Sequence, residues 1–200
     1  MSRPLDAAVS GAWIDDPVRS AHQDYVAVLI AAAGLRPGPT TDHSDALLRE
    51  ARSSVESLLR RVTAGLPRID RLTDVYNAVS VMHAIPIGGE DLSGYQGPAR
   101  LVVATGDEAF DTVADGQPTM HTAAVGEIVW RDDVGVTCRR WNWRQCVRTR
   151  LTDVTTEALF IVDGVGPDAG ARARAAADDL VRQLAVDSPD ASCASRALVG

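Results

Sequence analysis

No run of eighteen or more apolar residues occurs in this 200-residue chain, so no segment has the length of a membrane-spanning helix. The first residues, "MSRPLDAAVSGAW", lack the long apolar centre of a secretion signal, and a cytoplasmic protein is the expectation. Three cysteines (Cys138, Cys146 and Cys193) form no C-x-x-C pair, which argues against a disulfide framework. The histidines (His22, His43, His83 and His121) are scattered without metal-ligand spacing; no metal and no cofactor are expected. A P-loop, a Rossmann glycine fingerprint and a G-x-S-x-G elbow are all missing. Lysine is missing too: the 20 basic residues are all arginine, a bias with no functional reading of its own.

What is present suits one globular domain. Hydrophobic residues make up 46%, enough for a core, and 24% charged residues argue against global disorder. The net charge of −7 argues against a protein that coats nucleic acid by bulk electrostatics. Charge is unevenly spread, however. Cys138–Arg150 holds five arginines (Arg139, Arg140, Arg144, Arg148 and Arg150) and no acid. A basic stripe on an acidic body fits recognition of one limited anionic feature.

"DYVAVLIAAAGL" reads as a buried strand ended by a Gly/Pro cluster. A helix is expected from about Ser44 to a stop at Gly65, and another from about Asp70 to Pro86. "ARLVVAT", "GEIVWRD", "GVTCRRWNW" and "EALFIVDGV" read as short strands, with "ADGQPTMHTAAVGE" as a loop among them. An alanine-rich helix is expected over 168–186, and a disordered tail over 188–200. The pattern lacks a clean βαβ rhythm, which favours an α+β domain with a mostly antiparallel sheet over 1–187.

Within "GVTCRRWNWRQC", strand alternation puts Arg139, Trp141 and Trp143 on one face and Cys138, Arg140, Asn142 and Arg144 on the other. Guanidinium forks suit phosphate or carboxylate, and rings offer stacking. The plainer reading makes the rings core and pairs the arginines with Asp132, Asp133, Glu127 or Asp153. "AIPIGGEDL" places Gly88 and Gly89 before Glu90 and Asp91: glycines allow close backbone approach, and carboxylates hold ammonium groups. Asn77 lies in a helix interior, where its propensity is poor. Glu108 and Glu127 fall at strand edges, and arginines near Cys138 and Cys146 are of the type that lowers a thiol pKa.

In order and spacing, "LPRIDRLTDVYNAVSVMHAIPIGGEDL", "ATGDEAFDTV" and "GEIVWRDDVGVTCRRWNWRQCVRTRLTDVTTEALFIVDGV" resemble the free-standing B3/B4-domain family, with a core over about 53–164. These are relatives of the editing domain of the phenylalanyl-tRNA synthetase β subunit. The resemblance implies a three-layer arrangement of two packed sheets and flanking helices. It also implies a free-standing aminoacyl-tRNA deacylase, with water attacking the ester of a mischarged tRNA. Glu90, Asp91 and Glu127 would then act at the amino-acid moiety. Asn77, Gly88, Gly89, Arg139, Arg140, Asn142, Arg144, Arg148 and Thr149 would hold the tRNA 3′ end or an amino-acid-like ligand. Gly88 stands where the synthetase domain has its editing histidine, and Ile161 or Val162 where it has its editing glutamate. A non-catalytic binding module, or a small-molecule enzyme on the same scaffold, are the alternatives.

Overall fold

"VAVLIAAA" has no polar position, and a strand with no polar face must be covered on both sides. In a computed structural model, which describes residues 4–58, 68–114, 116–142 and 144–200 (side chains of 50 and 52–58 aside), that segment is an inner strand of a sheet. In chain order the elements begin with α1 (Leu5–Ser10), β1 (Trp13–Ile14), α2 (Asp16–Ala21), β2 (Val26–Ala33), α3 (Asp42–Leu58) and α4 (Arg71–His83). There follow β3 (Ile87–Asp91), β4 (Arg100–Val103), β5 (Ala109–Ala114), β6 (Gln117–Thr122) and β7 (Ile128–Arg131). The chain continues through β8 (Val136–Arg139), β9 (Arg144–Gln145), β10 (Glu157–Gly164), α5 (Ala169–Asp187) and β11 (Ser192–Val199). The architecture is α+β.

One sheet has the antiparallel order β11-β2-β10-β3. The side-chain period of two divides its inner strands between two cores. Val28, Ile30, Phe160 and Val162 face α3, α4 and α5, whereas Leu29, Ala31, Leu159 and Ile161 face the second sheet. That sheet runs β1-β4-β7-β8-β9 and is antiparallel except where β1 joins β4. The β5–β6 hairpin covers its outer face through Phe110, packed with Val102, Val129 and Val136. Helices, sheet and sheet form three layers, with the hairpin as an outer flap.

Helix α4 begins as its sequence asks. Asp70 caps it, accepting from Thr73 N at 2.9 Å. It ends on Ala84 in the left-handed region (φ 48°), just before Pro86.

Four expectations change or fall away. Residues 188–200 are not a disordered tail: β11 pairs along its whole length with β2. "ADGQPTMHTAAVGE" is not a loop, because β6 within it pairs with β5. The segment 136–145 is two short strands joined by a turn, so the strict face alternation across 138–144 does not hold. The helix stop at Gly65, and Trp143, lie outside the described residues.

Candidate functional site

The turn between β8 and β9 is where the basic stretch is exposed. Arg140 and Trp141 are both left-handed, at φ 49° and 62°, a conformation costing roughly 1–2 kcal/mol per non-glycine residue. Surrounding contacts hold it. Trp141 N donates to Ile128 O at 3.3 Å. The Trp141 ring packs against Tyr25 at 4.6 Å and edge-on to His22 at 5.1 Å. Asn142 Nδ2 donates to Ile161 O at 2.9 Å, pinning the turn to β10 across the gap between the sheets.

Gly88 makes that crossing possible. A Cβ at position 88 would collide with the Asn142 side-chain amide. Gly89 faces the other way, where a Cβ would press on Leu151, Phe160 and Tyr76. Neither glycine has a positive φ, so the pair serves close packing on the two faces of β3.

The turn forms one wall of a cavity of about 530 Å³. Ile85, Pro86, Val165 and Trp141 give it apolar walls, Arg140 and Arg172 are its cations, and Asn142 and Asp163 lie toward its interior. Asp163 is 4% exposed and shares the inter-sheet parity of Leu159 and Ile161. Its Oδ1 accepts from the Tyr25 hydroxyl, while its buried Oδ2 has no partner among the described residues. Burial pushes the Asp163 carboxyl up to about 6, against the pull of Tyr25, the Trp130 indole and Asn142. Burial, then the Asp163 charge, raises the Tyr25 hydroxyl.

The other expected residues lie elsewhere. Glu90 is 1% exposed, accepting from Tyr95 and, at 3.4 Å, from Thr149; burial pushes it up to about 7. Asp91 accepts from Ser93 N at 2.8 Å and Thr155 Oγ1 at 2.6 Å. Glu127 accepts from one edge of the Arg139 guanidinium through both carboxylate oxygens, Nε at 2.8 Å, and this holds its carboxyl below the usual range. Arg148 grips the fully buried Asp132 through two contacts, at 2.7 and 3.0 Å. Arg144 donates to Thr112 on the hairpin at 2.9 Å. Asn77 is half-buried on α4.

Thus Glu90, Asp91 and Glu127 do not converge on the cavity, and only Arg140 and Asn142 of the expected set line it. The thiol expectation is corrected: burial raises Cys138 well above its ordinary value and Cys146 to about 11, so neither is a ready thiolate. Asp163 and Arg172 were not singled out from sequence. The available signal for Asp163 was one acid in an otherwise apolar strand, "EALFIVDG". Among the described residues no group of side chains is placed to hold a metal, and no helix is long and apolar enough to cross a membrane.

The B3/4 domain family model matches residues 47–179. Among solved structures, an N-terminal fragment of the phenylalanyl-tRNA synthetase β subunit from Pyrococcus horikoshii is similar, at TM-score 0.56 and 12% identity. The likeness covers 98% of this chain and 53% of that one, so the chain spans about half its length. No curated protein matches. The match over most of the sequence, on a fold shared with that fragment, places the chain in the B3/4 domain family.

Proposed function

We propose that this B3/4 domain takes the aminoacylated 3′ end of a tRNA into the Asp163 cavity and hydrolyses the ester joining amino acid to ribose. The observation that carries this reading is the meeting, in one apolar-walled cavity, of a buried carboxylate and two guanidinium groups. An aminoacyl ester brings an ammonium group beside its reacting carbonyl, and an RNA end brings phosphate. Water oxygen adds to the carbonyl carbon while Asp163 accepts the water's proton. The Arg140 guanidinium meets the charge developing on the carbonyl oxygen. The carbon–oxygen bond to the ribose then breaks, and the proton passes to the departing ribose oxygen. A carboxyl titrating at about 6 is largely ionised at neutral pH and still a competent base.

One observation favours a second reading, binding without turnover. Asn142 fills the space over Gly88 and is tied to Ile161, the neighbourhood in which the resemblance puts the synthetase's editing histidine and glutamate. A panel of correctly and wrongly charged tRNAs separates the two. Selective ester loss supports the hydrolase; retention of charged tRNA with no ester loss supports the binding module. No association with any member contradicts both.

A further inference from the structure

We infer that β11 is a self-association surface: two copies of this chain pair antiparallel along their β11 edges and join their sheets into one. The inference does not depend on the chemistry proposed above, because no residue of β11 lines the Asp163 cavity.

The other sheet edges among the described residues are short, covered or interrupted. β1 and β9 have two residues each. Along β3, Asp91 N donates to Thr149 O at 2.7 Å and Glu90 bridges to Arg150. β5 is met by Val147 N, which donates to Asp111 O at 3.1 Å, and β6 carries Pro118. Such features guard an edge against strand addition. β11 has none of them. It runs eight residues in unbroken register with β2, without proline, lysine or bulge. Its one charge, Arg196, is turned back onto the carbonyls of Val9 and Ala12, at 3.3 and 3.1 Å.

Hydrogen-bond direction decides what this edge offers. Gly200 N donates to Tyr25 O at 2.8 Å, in step with the β11–β2 register. Antiparallel bonding alternates along a strand, so the even-numbered residues of β11 bond to β2. Cys193, Ser195, Ala197 and Val199 turn N–H and C=O outward, and no partner meets these groups among the described residues. The complement of such a row is another strand.

Self-complementarity makes that strand a second copy. Opposed side chains of an antiparallel pair share a face, so the two-fold axis passes through a residue. The middle of β11 falls at Ser195 and Arg196. An axis at Arg196 sets two guanidiniums opposite each other; an axis at Ser195 opposes two hydroxyls and is favoured. It places Cys193 opposite Ala197 of the second copy and forms about six backbone hydrogen bonds over 193–197. Flanking charge agrees. Ser195 shares a groove with Arg174 and Asp178 of α5, and neither charge is in an ion pair among the described residues. The two-fold lays α5 antiparallel to its copy on one face of the joined sheet, so Arg174 of each faces Asp178 of the other across that groove. A peptide carrying one sign of charge would be repelled by one of the two.

The test is sedimentation of the full chain, with oxidative cross-linking to read the register. Wild type is expected to sediment as a dimer at about 50 μM. Ser195→Pro removes an outward N–H and no bond to β2, so it should weaken the dimer at least about tenfold. Ala197→Cys should form a disulfide-linked dimer with Cys193 of the second copy under mild oxidation. Wild type should not, because its two Cys193 residues lie roughly 14 Å apart in this register. Cys138 and Cys146 are buried and do not compete. Unfolding midpoints report whether each variant is intact; if Ser195→Pro does not fold, cross-linking of Ala197→Cys decides. Monomeric wild type at about 50 μM overturns the pairing in favour of a strand from another protein. A dimer unaltered in folded Ser195→Pro, or no cross-link in Ala197→Cys, overturns it as well.

Discussion

Glu90 and Asp163 are carboxyls buried between the sheets, each accepting from a tyrosine hydroxyl. Their pKa values rise on folding, from 4.5 to about 7 and from 3.8 to about 6. A raised folded value means the stabilising form is the protonated one. That contribution is complete below the unfolded pKa values and is lost as pH climbs through about 6 and then about 7. Glu108, Glu127, Asp132 and Asp179 are lowered and act in the opposite sense, losing stability only in acid. Urea midpoints should therefore fall between about pH 5 and pH 8, with Glu90→Gln and Asp163→Asn each flattening that slope. An unchanged slope in both variants contradicts the assignment. Arginine variants test a different distinction. Arg148→Ala strands a fully buried carboxylate and should cost about 3–5 kcal/mol, whereas exposed Arg144→Ala should stay within about 0.5 kcal/mol. Equal costs would mean that Arg148 is not a structural residue.

Elements whose own sequence carries a burial pattern were legible: β2, β10, α4 and α5 all follow from apolar runs or helical spacing. Those created by pairing were not. In β6, "QPTMHT", almost every residue is exposed, and the strand exists because β5 lies beside it. In β11, "SCASRALV", only Leu198 is buried, yet the strand closes the edge of the sheet next to β2. Arg196 also donates from it to the Val9 and Ala12 carbonyls near the other end of the chain. Removing residues 189–200 should therefore cost more than about 3 kcal/mol, through lost edge pairing, loss of the buried Leu198 side chain from the core and exposure of its neighbour Tyr25. A truncated chain with the full-length unfolding midpoint would show β11 to be dispensable.

The site as a whole is an assembly of segments far apart in sequence: the α4 exit at Ala84–Pro86, the turn at 140–142, the end of β10 and the start of α5. A basic stretch with interleaved rings pointed to Arg140 and Asn142, because composition and order expose such chemistry directly. Asp163 and Arg172 become part of it only when β10 and α5 fold back beside that turn, a juxtaposition that spacing does not encode. The same folding takes Arg139, Arg148 and Glu127 out of the candidate site by pairing them within the domain. The proposal that remains is that an aminoacylated RNA end meets the protein at Asp163. Its most direct test is the first-order rate of ester loss from charged tRNA, under single-turnover conditions, with wild type and Asp163→Asn side by side. The isosteric amide keeps the Tyr25 partner but abolishes the base. A fall of about 100-fold or more, with an unaltered unfolding midpoint, is the predicted result. Equal rates for the two proteins would contradict it.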